Sequence, residues 1–111
     1  MIEITIKEFL DGHLSVPVFL ERQDEMPDSY VLFEKTSGGK RNRLPSSTFA
    51  FQSYGKSMYE AAKLNEELKE TVEGMITLNK VSGIKLNSDY IYTDTTTKEY
   101  RYQAVFDINH Y

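Results

Sequence analysis

The chain has 111 residues, a formal net charge of −4 and no cysteine. That length suits one domain spanning residues 1–111 with its own core. The missing thiols exclude a disulfide framework, a thiolate zinc site and a cysteine nucleophile, and they suit a reducing cytosol. The negative balance argues against a general nucleic-acid binder, and no apolar run approaches the ~20 residues that cross a bilayer.

The opening MIEITIKEFL mixes acids and lysine among its isoleucines, unlike a secretory signal. Ile2, Ile4 and Ile6 alternate, whereas Ile6, Phe9, Leu10 and His13 share a helical face. The second pattern predicts a short helix over 5–11, with Thr5 and Glu8 as an S/T-x-x-E pair and Gly12 as its stop. Pro17 lacks a ladder donor, so 16–20 is at best an edge strand. Residues 21–28 are polar and proline-bearing, a loop. Residues 29–36, with Tyr30, Val31, Leu32 and Phe33, read as an inner strand because bulky side chains fall on both faces.

SGGKRN at 37–42 is the strongest turn signal. It predicts a long, flexible hairpin tip, extended by Arg43, Leu44 and Pro45. Residues 47–54 return as a strand, with Phe49 and Phe51 pointing one way and Ala50 and Gln52 the other. Residues 57–75 form one amphipathic helix around which the rest is arranged. Ser57 and Glu60 make a capping box, Ala61, Leu64, Leu68, Val72 and Met75 recur on one stripe, and Gly74 marks the stop. Residues 76–83 are a connection whose path stays open. Residues 84–93 form a strand with an irregularity near Asn87 and Ser88, and 94–98 a second hairpin connection. Residues 99–109 are the cleanest strand, turning Tyr100, Tyr102, Ala104, Phe106 and Ile108 to the core. The expected class is α+β: an antiparallel, mostly hairpin-built sheet with one long helix packed on one face and a short N-terminal helix.

Catalytic chemistry finds little support. The two histidines, His13 and His110, stand near opposite ends, outside any metal-binding spacing, and read as solvent-edge residues. Gly38, Gly39 and Lys40 resemble a phosphate loop in composition, but a strand follows them and no helix N-terminus waits for an anion. Acidic pairs such as Glu66 with Glu67, or Asp24 with Glu25, read as solvated surface. No catalytic residue, cofactor or metal ligand is therefore expected.

The basic cluster Lys35, Lys40, Arg41 and Arg43 has three readings: a grip on a phosphate backbone, a partner for acids on a neighbouring subunit, or a solvated loop. Tyr30, Tyr54, Tyr90 and Tyr92 are candidates for an aromatic strip on the outer sheet face, a feature of protein interfaces.

The layout resembles the small tail-terminator (tail-completion, or head–tail joining) proteins of long-tailed bacteriophages and prophages. The resemblance rests on Val16-Pro17-Val18-Phe19, then the acidic loop 24–28 with Pro27 leading into Tyr30-Val31-Leu32-Phe33. It continues through the return Phe49-Ala50-Phe51-Gln52-Ser53-Tyr54 and the helix start Ser57-Met58-Tyr59-Glu60-Ala61-Ala62. It closes on Tyr100-Arg101-Tyr102-Gln103-Ala104-Val105-Phe106-Asp107-Ile108 after an Asp94-Thr95 turn. It spans nearly the whole chain as an order of elements and short degenerate strings, with no catalytic motif to match.

The resemblance implies a virion structural protein of the phage tail and neck, made in the host bacterial cytoplasm. Copies would assemble as a hexameric ring that caps the tail tube and joins it to the head. Its partners would be itself, a tail-tube protein and a head-connector protein, with no membrane, nucleic acid or enzymatic activity. A ring needs one patch to meet a different patch on the next copy. The candidate pair is the basic hairpin tip (Lys40, Arg41, Arg43) against the acidic helix face (Glu66, Glu70, Glu73). The alternative is a nucleic-acid or regulatory binding module using the basic hairpin loop 37–44.

Overall fold

The computed structural model describes residues 1–41, 44–93 and 99–111, for 40, 41 and 44 the backbone alone. It is α+β, with two helices and a five-stranded sheet. In chain order the elements are α1 (Ile2–His13), β1 (Val18–Phe19), β2 (Tyr30–Arg41), β3 (Leu44–Gly55), α2 (Met58–Gly74), a 3-10 turn (Met75–Thr77), β4 (Val81–Ile91) and β5 (Tyr100–His110). The strands lie side by side as β1-β2-β3-β5-β4. The β1 strand runs parallel to β2, and every other neighbouring pair is antiparallel.

Register fixes which side chains share a face. Phe33 stands opposite Phe51, Phe49 opposite Phe106, and Phe51 opposite Ala104, so these residues line one side of the pleat. They join one buried cluster with Ile6 and Leu10 of α1 and with Leu64, Leu68 and Val72 of α2. The Phe33–Phe51 rings stack at 5.3 Å, and Phe106 meets Phe51 edge-on at 5.9 Å. Aromatic strand residues and helix leucines thus interlock in a single apolar layer.

The long helix begins where its cap was expected: the Ser57 hydroxyl accepts from the Glu60 amide at 3.1 Å. Gly74 does not terminate it through a left-handed residue. Its backbone stays right-handed, and the chain turns on through Met75–Thr77 until Leu78 becomes extended. The N-terminal helix is longer than the 5–11 reading. It starts at Ile2, Thr5 lies inside it rather than capping it, and it runs through Gly12 to His13. The Ile2-Ile6-Phe9-Leu10 spacing already carried that extra turn. The 37–45 segment also departs from expectation. Its residues up to Arg41 stay in the ladder, Gly38 opposite Ser47 and Arg41 opposite Leu44, after a bulge between Lys35 and Ser37. Strand pairing there overrides local turn composition.

Gly55 lets β3 reverse directly into α2. A Cβ there would lie 2.6 Å from the Ala61 amide nitrogen and 2.9 Å from the Glu60 carbonyl carbon, both backbone. Gly55→Ala is expected to lower stability by about 1–3 kcal/mol. Gly12 has nothing within 4 Å of the equivalent position, so Gly12→Ala should raise stability by about 0.5–1 kcal/mol through helix propensity. Urea titration of the two variants reads both signs.

Candidate functional site

Side chains that the core does not use collect on the opposite side of the sheet. There Tyr30 pairs with Tyr54, Leu32 with Gln52, and Gln52 with Gln103, while Tyr90 stands beside Gln103. Their polar ends are already joined to one another. Tyr54 donates to Gln52 Oε1 at 3.0 Å, Gln52 Nε2 donates to Gln103 Oε1 at 2.9 Å, and Gln103 Nε2 donates to the Tyr90 hydroxyl. Tyr30 and Tyr54 stack at 4.3 Å, nearly coplanar.

Two guanidiniums frame this row. Arg22 lies 5.6 Å from the Tyr54 ring centre and donates to the Tyr30 hydroxyl and to Glu99. Arg101 lies 5.7 Å from the same ring and 4.5 Å from that of Tyr92, donating to the Tyr54 hydroxyl and the Tyr92 carbonyl. Glu99 reaches Arg22 at 3.0 Å and Arg101 at 3.9 Å, one carboxylate between two cations. Burial, with Tyr54 beside it, pushes the Tyr30 phenol above its usual range. The result is a lattice of tyrosine, arginine and glutamine in which the expected outer strip is only half exposed: Tyr90 and Tyr92 are 42% and 43% exposed, whereas Tyr30 and Tyr54 are buried at 4%. Such side chains can make contacts on docking without first being ordered.

On the other side, α2 holds the edge strand through charge. Asn65, 1% exposed, donates from Nδ2 to Asp89 Oδ1 at 2.7 Å. Lys69 bridges Asp89 to Glu66, the latter at 2.8 Å. Those hydrogen bonds, Asp89 first and then Glu66, hold the Lys69 ammonium above its usual range.

A third group has the geometry of a nucleophile and its base. The Ser47 hydroxyl lies 3.0 Å from His110 Nε2, and His110 Nδ1 lies 3.4 Å from the Tyr111 carbonyl oxygen. Which partner donates in the Ser47–His110 bond follows the imidazole tautomer. Ser47 is 2% exposed, so no reacting carbon can come within bonding reach of its oxygen. The pair ties the ends of β3 and β5 together.

These positions correct several expectations. His110 is buried rather than at a solvent edge, because it extends the inward alternation of Phe106 and Ile108. His13 is exposed and stacks on Phe9 at 4.0 Å. Glu67 is not free surface: its two oxygens accept from the Ser15 amide and hydroxyl at 3.0 and 2.9 Å. Of the candidate interface residues, Glu66, Glu70 and Glu73 are exposed along the outer stripe of α2. Arg43 lies outside the described residues, and so do the side chains of Lys40 and Arg41, so the basic end of that pair and the 37–44 loop reading rest on sequence.

The buried polar groups had signals that went unread. Asn65 follows Ala61 by four and precedes Leu68 by three, on the apolar stripe. Nothing in the polar 21–28 stretch marks Arg22 as a residue that folds back onto the sheet. The chain matches no protein-family model and no curated protein.

Lys69→Met should cost about 1–3 kcal/mol, since it leaves Asp89 and Glu66 without their shared donor. A lysine pKa raised by folding stabilises fully below the unfolded value near ~10.4 and loses that contribution as pH climbs through the raised value. The wild-type advantage over Lys69→Met is therefore expected to be constant between about pH 7 and 9 and to shrink above that lysine range. Denaturation midpoints measured across this range check it.

Proposed function

We propose that this chain is a structural component of a long-tailed phage or prophage particle. It forms an oligomeric ring, a hexamer, that caps the tail tube, halts its growth and joins tail to head. In this reading its partners are copies of itself, the tail-tube protein and the head-connector protein, and it belongs to the virion after synthesis in the host cytoplasm. It works without a cofactor and without turning over a substrate.

The observation that carries the reading is the division of the sheet. One side is sealed by two helices, and the other presents exposed Tyr90 and Tyr92 beside Arg22 and Arg101, residue types that concentrate in protein interfaces. The one Ser–His pair among the described residues is closed to substrate. The resemblance supplies the particular assembly, and the sheet supplies a surface suited to association.

The test is made on tube growth. Added to tail-tube protein polymerising in vitro, from the same particle, the chain is expected to stop elongation at one end, with ring-shaped density at that end in negative-stain images. Tubes that reach unaltered lengths at saturating chain concentration, with bare ends, would remove the assignment.

A further inference from the structure

We propose that the seat of the next subunit is the open face of the sheet, and that the piece seated on it is the outer stripe of another copy's α2. This rests on the ring reading and names its interface.

Growth through the β4 edge is obstructed. The outer edge of β4 is broken by register shifts between Val81 and Gly83 and between Leu86 and Ser88, and carries exposed Lys85. Bulges and an edge lysine are devices that discourage strand addition. At the other side β1 pairs with Val31 and Leu32 alone, and β2 runs on past it to Arg41. The face is different. A solvated sheet face ordinarily carries mobile lysine and glutamate, yet its Tyr54 end carries tyrosine, arginine and glutamine fixed by their mutual bonds. Arginine and tyrosine are the residues that dominate binding energy at interfaces, whereas lysine and glutamate are depleted there.

Charge selects the occupant. Among the described residues, Arg22 and Arg101 share the single carboxylate of Glu99, which leaves a surplus of positive charge beside Tyr54 and Tyr92. On α2, Glu70 and Glu73 are exposed and enter no ion pair among the described residues. From Tyr59 to Glu73 the stripe is ~21 Å long at 1.5 Å per residue. That matches the ~20 Å of β3 between Thr48 and Tyr54 at about 3.4 Å per residue.

The arrangement also sets the symmetry. Arg22 and Arg101 lie at the Tyr54 end of the strands. Glu73 lies at the opposite end, where α2 passes through the 3-10 turn into Val81, the partner of His110. Glu70 and Glu73 of one copy therefore reach the arginines of the next only when the second copy is shifted along the strands or turned end for end. Helix face meets sheet face, a heterologous contact that propagates from copy to copy and closes when the rotation permits.

The natural absence of cysteine makes the contact directly testable by disulfide trapping. Full-length Glu73→Cys is mixed with full-length Tyr92→Cys, or with Ser88→Cys as a second sheet-face position that leaves the tyrosines intact. The control mixes Glu73→Cys with Leu86→Cys on the β4 edge. Under mild oxidation the face pairs are expected to form covalent dimers at least tenfold more than the edge pair or either variant alone. Light scattering on the uncrosslinked wild type is read alongside. Assembly with trapping that favours the edge pair overturns this interface and spares the ring. A wild type that stays monomeric to millimolar concentration, with no preferential trapping, overturns both.

Discussion

The structure depends on how little apolar surface the chain has to cover a sheet. Phe33, Phe49, Phe51 and Phe106 fill one side of the pleat, and Ile6, Leu10, Leu64, Leu68 and Val72 are sufficient to cap that side alone. Burial of this kind stabilises by about 25 cal/mol per Å² of apolar surface withdrawn from water. One helix carrying a single stripe and a shorter N-terminal helix can therefore close one layer. The second face is covered in part, with Tyr30 and Tyr54 4% exposed beneath Phe19 and Arg22, and its polar ends bond to one another.

That division explains the placement of the polar groups. Around the covered layer, Asn65 Nδ2 is held by Asp89, Asp89 by Lys69 and His110 by Ser47, while the buried Asn65 Oδ1 and Ser53 Oγ have no partner among the described residues. Each bond fastens one strand or helix end to another, and Asp89 in particular fastens the edge strand β4 to α2. On the opposite face, by contrast, hydrogen bonds run sideways across strands, and Tyr90 and Tyr92 stay exposed while Tyr30 and Tyr54 are buried. A chain organised in this way is suited to recognise shape. The one Ser–His pair among the described residues lies beneath the surface.

Much of this was legible from residue order. The alternation of Tyr100, Tyr102, Ala104, Phe106 and Ile108 marks β5, and the Ala61-Leu64-Leu68-Val72 stripe with its Ser57 cap marks α2. The irregularity expected near Asn87 and Ser88 corresponds to the register shift between Leu86 and Ser88. What escaped was non-local. Glycines at 38 and 39 have turn composition, but pairing with Ser46 and Ser47 across the hairpin outweighs it. Gly12 has stop-signal composition, but the helix it sits in is already fixed by Ile6 and Leu10 in the core. Arg22 could not be placed, since a loop residue's partners depend on where the loop folds, and Tyr30, Tyr54 and Glu99 come from three separate parts of the chain.

The central claim is that this protein acts through self-association of an ordered surface. Sedimentation equilibrium of the intact chain from micromolar to millimolar concentration tests it most directly. The account predicts a reversible passage from monomer to one closed oligomer of fixed mass, which grows no further as concentration rises. A single monomeric species across the whole range, or open-ended growth without a limiting mass, would contradict it.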